Sequence, residues 1–138
     1  MTVGQGYTEQ GRYLTDGEIQ QILAEGLGQA ELEGKHVLVI IPDSTRTAPL
    51  PLMFRLFNEL LNDRVAKLDF LVALGTHPIM SQDALNKLVG ITEEERTTTY
   101  ADVGLFNLQW DDPDTFATLG TISEAEIEEI TQGMLVRD

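Results

Sequence analysis

An uninterrupted run of aliphatic residues constrains the fold of this chain more than any other feature of its sequence. The run is His36-Val37-Leu38-Val39-Ile40-Ile41, and after the histidine it contains no polar side chain. Runs without polar alternation are typical of strands that are covered on both faces, as in parallel sheets. A second, mostly apolar run extends from Lys67 to Leu74 and contains Asp69. The sequence therefore predicts two core strands of a parallel sheet.

Helical patterns separate and follow these two strands. Apolar residues recur at helical spacing from Leu52 to Leu61, which predicts a helix that packs by one face. Ser81 is placed to cap a further helix that stops at Gly90. Strands and helices in alternation predict the α/β class. We expect a Rossmann-like, parallel or mostly parallel sheet flanked by helices, in a single domain.

Weaker signals predict the remaining elements. Thr15 to Glu18 has the pattern of a capping box, which starts a first helix that runs from about Asp16 to about Glu25. Thr97 to Tyr100 is a plausible third strand, and Thr115 to Thr121 is a weaker fourth. Ser123 to Glu126 repeats the capping box before a last helix.

The predicted elements define the domain organisation. Residues 1–14 are polar and aperiodic, so we expect them to form an N-terminal arm. Residues 15–138 are expected to form the α/β domain.

Charge and composition exclude several classes of partner and site. The chain has 138 residues, of which nine are basic and 23 acidic, and its formal net charge is −14. This charge repels nucleic acid and anionic lipid, so we expect neither as a partner. No apolar run approaches the roughly 20 residues that span a bilayer, and the first residues lack a signal-peptide pattern, so we expect a cytoplasmic protein. With no cysteine and only two histidines, no self-contained metal site is expected.

Two polar segments stand directly behind the two core strands. Pro42-Asp43-Ser44-Thr45-Arg46-Thr47-Ala48-Pro49 follows the first strand, and Gly75-Thr76-His77-Pro78-Ile79-Met80 follows the second. Parallel strands joined by a right-handed crossover end at the same edge of a sheet, and ligands bind there. We therefore expect Asp43, Arg46 and His77 to face one cleft.

The residue types in this cleft suit an anion and a proton transfer. Arg46 carries a permanent, forked cation that matches a carboxylate or phosphate, and the start of the following helix also favours an anion. Histidine titrates near neutral pH, so His77 can take or give a proton. Plainer interpretations stay open here: Asp43 to Thr45 can form a turn and helix cap, and Gly75 to Pro78 a tight loop.

The paired segments resemble those of a known family. In this order, separated by one helix and one strand, Pro42 to Pro49 and Ala73 to Ser81 closely resemble the N-terminal domain of the lactate racemase family, the nickel-pincer-nucleotide enzymes. The resemblance continues more weakly through Asp112-Pro113-Asp114 and Leu119 to Ile122. It implies a protein of two domains, with the second domain, the C-terminal one, outside this chain.

The resemblance implies an isomerase, a racemase or epimerase that acts on a 2-hydroxy acid. It implies that His77 is one of two general acid/base histidines, and that Asp43 and Arg46 contact the cofactor phosphate or the substrate carboxylate. Further polar contacts are implied for Ser44, Thr45 and Thr47. The implied cofactor is a nickel-pincer nucleotide, whose tethering lysine and nickel-ligating histidine belong to the second domain. We therefore expect this chain alone to be inactive and to bind no stoichiometric nickel.

One departure from the family concerns Asn107-Leu108-Gln109-Trp110. Many members carry a histidine and an acid there, so we expect a polar contact of those members to be lost, and the identity of the hydroxy acid stays open. Two other classes of function also stay open. One is an α/β module that binds an anion without reaction, and the other is a structural or interaction domain.

Overall fold

Three parallel strands form the sheet of the computed structural model, which describes residues 6, 9 and 11–135. The strands are β1 (His36–Pro42), β2 (Lys67–Ala73) and β3 (Gly104–Asn107), in the spatial order β1-β2-β3. Pro42 of β1 lies opposite Ala73 of β2, and Val72 of β2 lies opposite Asn107 of β3. The carboxyl ends of all three strands therefore meet at one edge. The α/β class and the parallel sheet are confirmed.

Helices precede, connect and follow the strands. They are α1 (Asp16–Gly28), α2 (Leu50–Leu61), α3 (Gln82–Val89), α4 (Glu93–Thr97) and α5 (Glu124–Thr131), with a short 3-10 helix at Pro113–Thr115. As predicted, the Ser81 hydroxyl accepts a hydrogen bond from the Ala84 N–H at the start of α3, and Gly90 caps the end of the helix after Val89. In the described part of the chain, none of the helices combines the length and the apolar character needed to cross a membrane.

The hydrophobic core lies between one face of the sheet and the helices α2 and α3. Phe54 of α2 is 2% exposed, and its ring packs against Phe70 of β2 with a centroid distance of 4.7 Å. Leu85 and Val89 of α3 are buried in the same cluster. This packing fixes the start of both helices, and with it the two loops that carry the predicted site residues.

The opposite face of the sheet differs from the prediction. Leu38 and Ile40 of β1 are 55% and 65% exposed, and Phe106 of β3 is 49% exposed. The aliphatic run of β1 predicts cover on both faces. In the unit that contains the sheet, however, the strand order never reverses, so crossovers of one hand place the connecting helices on the same face.

Both of the weaker strand predictions are wrong. Thr97 is the last residue of α4, and the hydroxyls of Thr97 and Thr98 donate to the carbonyls of Glu93 and Glu94 at 3.0 and 2.6 Å. These bonds satisfy the two threonines in a helical turn. The third strand is instead β3, and the segment from Thr115 to Thr121 leaves the 3-10 helix without forming a strand.

The chain divides into two compact units. The first is Met1–Leu108, which contains the sheet and the helices α1 to α4, and the second is Gln109–Asp138, which contains the 3-10 helix and α5. All predicted site residues lie in the first unit. Of the predicted N-terminal arm, residues 1–5, 7, 8 and 10 lie outside the described residues.

Candidate functional site

A turn built on Asp43 begins the site, directly after β1. The Asp43 Oδ1 atom accepts hydrogen bonds from the Thr45 N–H at 3.0 Å and from the Thr45 hydroxyl at 2.5 Å. The Asp43 carbonyl accepts a third bond from the Arg46 N–H at 3.3 Å. This is the side-chain-to-backbone turn that aspartate favours. It leaves the carboxylate nearly buried, with the residue 6% exposed.

His77 lies in the corresponding loop after β2. Its N–H donates to the Leu74 carbonyl at 3.0 Å, which closes a tight turn. Gly75 within this turn has a φ of 61°, a conformation that glycine adopts without strain. The turn directs the histidine back along the sheet edge towards β1.

Strand register brings the two loops together. Because Pro42 and Ala73 lie opposite each other, the loops that follow them start side by side. The His77 Nδ1 atom forms a hydrogen bond with the Asp43 Oδ2 atom across this gap. The Asp43 side chain is 8% exposed and that of His77 is 55% exposed. The pair therefore has a buried acid and a solvent-accessible imidazole.

These hydrogen bonds keep Asp43 ionised. They lower the pKa of Asp43 from 3.8 to about 2, first through the Thr45 hydroxyl, then through His77 and the Thr45 N–H. An ionised carboxylate only accepts hydrogen bonds, so Nδ1 of His77 is the donor at neutral pH. In neutral imidazole the lone pair that can accept a proton then lies on Nε2.

Arg46 occupies the same turn but makes no bond to the Asp43–His77 pair through its side chain. Among the described residues, the exposed guanidinium of Arg46 has no hydrogen bond or ion pair. It lines a groove together with Ser44, and His77 lies outside that lining. Thr47 is exposed in the same loop. The structure thus brings Asp43 and His77 together as a hydrogen-bonded pair, and Arg46 lies on the Asp43 turn with its side chain outside that pair.

The start of α2 offers fewer donors to an anion than the sequence predicts. The Leu50 N–H is already bonded to the Ala48 carbonyl at 2.8 Å, and Pro51 has no N–H. The Arg46 N–H is also engaged, by the Asp43 carbonyl. Two backbone N–H groups of this loop are therefore already engaged, whereas the exposed guanidinium of Arg46 keeps its donors.

Asn107 is a site residue that the sequence analysis did not identify. At the end of β3, its Oδ1 atom accepts from the Met80 N–H at 3.1 Å, and its Nδ2 atom donates to the Met80 carbonyl at 2.9 Å. Asn107 belongs to the segment Asn107 to Trp110, in which we expected a polar contact of the family to be lost. Its side chain instead makes two hydrogen bonds to the loop that carries His77. Asn107 is the last residue of β3, and because β3 itself was not predicted, no pattern in the sequence identified it.

No metal centre is apparent in the parts of the chain that the structure describes. Within residues 6, 9 and 11–135, no group of three or more His, Cys, Asp or Glu side chains could hold a metal ion.

Comparisons with known proteins bear on this geometry. A family model described as the lactate racemase N-terminal domain matches residues 13–134, which include every residue of the site. A crystal structure of a protein from Thermotoga maritima is 30% identical, with a TM-score of 0.69 over 87% of this chain and 27% of that chain. This chain therefore spans about a quarter of the length of that protein. No curated protein matches this chain.

Proposed function

This chain belongs to the lactate racemase N-terminal domain family, and we propose that it supplies a general acid/base histidine and an anion-binding arginine to a 2-hydroxy acid racemase or epimerase. The observation that carries the proposal is the hydrogen bond between Asp43 and His77 at the carboxyl edge of the sheet. Ligands of open parallel α/β sheets bind at that edge. The complete active site is proposed to lie between this domain and a second, C-terminal domain.

His77 is proposed to move the proton of the substrate hydroxyl. With Nδ1 bonded to the ionised Asp43, the Nε2 atom accepts the proton as the substrate carbon is oxidised. The imidazolium that forms is stabilised by the adjacent carboxylate, which stays ionised because its pKa is about 2. When the opposite enantiomer is the substrate, the same nitrogen donates the proton to the product hydroxyl as the carbonyl is reduced, and the second histidine removes the proton. Asp43 acts through His77 and is therefore a positioning residue.

The loop after β1 is proposed to hold the anionic groups. The guanidinium of Arg46 can donate two parallel N–H bonds to a carboxylate, which would orient the substrate relative to His77. The Thr45 hydroxyl is committed to Asp43, so its proposed role is to hold that carboxylate. Ser44 and Thr47 are exposed beside Arg46, and we propose that they add polar contacts to the same ligand.

The proposed cofactor is a nickel-pincer nucleotide, which supplies the acceptor for the substrate hydride when it is bound. The donor set of this domain fits its phosphate, because Arg46 has no side-chain partner among the described residues. The tethering lysine and the nickel-ligating histidine are proposed to lie in the second domain.

The decisive experiment replaces His77 with alanine in the natural protein that contains this chain, loaded with the cofactor. Racemisation of lactate and of larger 2-hydroxy acids is followed by chiral chromatography. We expect the rate to fall by about 10²- to 10⁴-fold, because that is the usual contribution of a general acid/base. The nickel content and the circular dichroism spectrum are expected to stay unchanged.

His36→Ala is the matched control, because His36 is an exposed histidine at the opposite end of β1. It should leave the rate unchanged. If His77→Ala racemises normally while Arg46→Ala loses affinity for the anion, the domain is a binding module without an acid/base role. If neither variant loses rate or affinity, the domain has only a structural role.

A further inference from the structure

A groove of about 420 Å³ opens between α2 and α3, beside the turn that carries Arg46. Its polar lining comes from Ser44, Arg46 and Lys87. The remaining lining is apolar and consists of Ala48, Leu50, Pro51, Met80, Ala84 and Leu88. The groove is open to solvent, and its mostly apolar walls with a few polar groups resemble the lining of small-molecule sites.

Two cations of the groove come from separate elements. Arg46 lies in the loop after β1 and has no side-chain partner within the described residues, while Lys87 projects from α3. The Lys87 Nζ atom lies 2.8 Å from Asp83, and both side chains are about three-quarters exposed, at 75% and 76%. Exposed pairs of this kind contribute little to stability, so Lys87 can exchange Asp83 for an anion at little cost.

The apolar wall of the groove is held in place by the fold. Leu50 belongs to the core cluster and is 7% exposed. The backbone of Met80 is fixed on both sides by the amide of Asn107. Between them, the small side chain of Ala84 leaves room on the surface of α3. The wall is therefore formed before any ligand arrives, which lowers the entropic cost of binding.

We infer that this groove binds a small molecule that carries an anionic group on an apolar body. Arg46 and Lys87 hold the anion, and the apolar part lies along Met80 and Ala84. The inference rests on the proposed function in one respect, since Arg46 is the anion-binding residue in both. It adds that the anion held there belongs to a molecule whose apolar body extends onto α3.

The test titrates the 138-residue chain with phenyl phosphate and with inorganic phosphate, followed by amide NMR shifts. We expect saturable shifts for residues 44–51 and 80–88, and about tenfold tighter binding of phenyl phosphate, since a buried ring adds apolar contact. Arg46→Gln and Lys87→Gln should each weaken binding about tenfold. Asp83→Asn should tighten it, because Lys87 is then released.

Two variants distinguish binding in the groove from a non-specific attraction of phosphate to positive charge. Lys67→Gln removes a lysine that is also paired with an aspartate, at 3.6 Å, but lies at the opposite end of β2. Its affinities should stay within about twofold of the unchanged chain. Ala84→Leu fills the apolar wall, so it should weaken phenyl phosphate about tenfold and leave inorganic phosphate unchanged.

Each outcome decides the inference independently of the racemase proposal. Equal binding of the two phosphates, or an equal loss in Lys67→Gln, would show adventitious anion binding and overturn the inference. His77→Ala should bind phenyl phosphate normally, because His77 lies outside the groove lining. If the groove binds neither phosphate, the inference is wrong, but the proposed acid/base role of His77 is unaffected. If His77→Ala racemises normally, the proposed role of His77 is wrong, but binding in the groove is unaffected.

Discussion

The side-chain amide of Asn107 pairs with both backbone groups of Met80, accepting from its N–H at 3.1 Å and donating to its carbonyl at 2.9 Å. Met80 lies three residues after His77, on the α3 side of the loop. The β2 side of the same loop is held by the hydrogen bond from the His77 N–H to the Leu74 carbonyl. The histidine is thus fixed between two anchors, one on each side, of which Asn107 supplies the one from β3.

Replacement of Asn107 by alanine should therefore loosen the His77 loop. The change removes two hydrogen bonds, so we expect the free energy of unfolding to fall by about 1–2 kcal/mol. Amide hydrogen exchange of residues 76–80 should accelerate more than that of β1, and the ring signals of His77 should shift in NMR spectra.

Asn107→Asp refines this prediction, because aspartate keeps the acceptor but loses the donor and places a charge beside the Met80 carbonyl. It should be at least as destabilising as alanine at neutral pH. Asn62→Ala, at an exposed asparagine after α2, is the control and should leave the loop unchanged. Unaltered exchange at residues 76–80 in Asn107→Ala would mean that the loop is held by other contacts.

The lowered pKa of Asp43 predicts a pH dependence of stability. Because the folded pKa, about 2, lies below the ordinary value of 3.8, the ionised carboxylate stabilises the fold above about pH 4. That contribution is lost as the pH falls from about 4 to about 2. Asn at position 43 has no such titration, so the stability difference between the native chain and Asp43→Asn should shrink over this range.

Urea denaturation of both proteins between pH 6 and pH 2 measures this difference. Glu18, whose pKa is also lowered to about 2 through its hydrogen bond from Arg12, titrates in the same range. Its effect is common to both proteins and cancels in the difference. A stability difference that stays constant down to pH 2 would show that Asp43 is not held in its ionised form.

The Thr45 hydroxyl makes the largest contribution to the lowered pKa of Asp43. Thr45→Val removes the hydroxyl but keeps the shape and the backbone N–H, so the pKa of Asp43 should rise towards its ordinary value. The measurement is a carbon-13 NMR titration of the Asp43 carboxyl group. Thr47→Val alters an exposed threonine of the same loop and should leave that titration unchanged. An equal shift in both variants would point to a general change in the loop.

Elements with strong, regular patterns could be predicted from the sequence. The apolar runs predicted β1 and β2, and the capping residue Ser81 predicted α3. The structure confirms all three elements. β3 could not be recognised, because it has only four residues and starts at Gly104. The threonines at 97 and 98, which favour strands locally, are held in a helical turn that the capping box of Thr92 initiates.

The site was predicted as residue types but not as contacts. Asp43 and His77 each follow a strand of a parallel sheet, so the sequence alone predicts that both lie at the same edge. Which acid contacts which base depends on the strand register and on the two turns, which only the structure gives. The pairing of Asn107 with a backbone segment 27 residues earlier leaves no local pattern at all.

Replacing a phenylalanine should destabilise the fold strongly on the core side of the sheet and only weakly on the other side. Phe54 is 2% exposed and contacts Phe70 and Tyr100, so Phe54→Ala should cost about 3–5 kcal/mol and loosen the start of α2 near Asp43. Phe106, which is 49% exposed on the other face, should cost about 1 kcal/mol or less when it is replaced by alanine. Urea denaturation of the 138-residue chain measures both values. If Phe106→Ala destabilises the chain as strongly as Phe54→Ala, that face of the sheet is covered in solution.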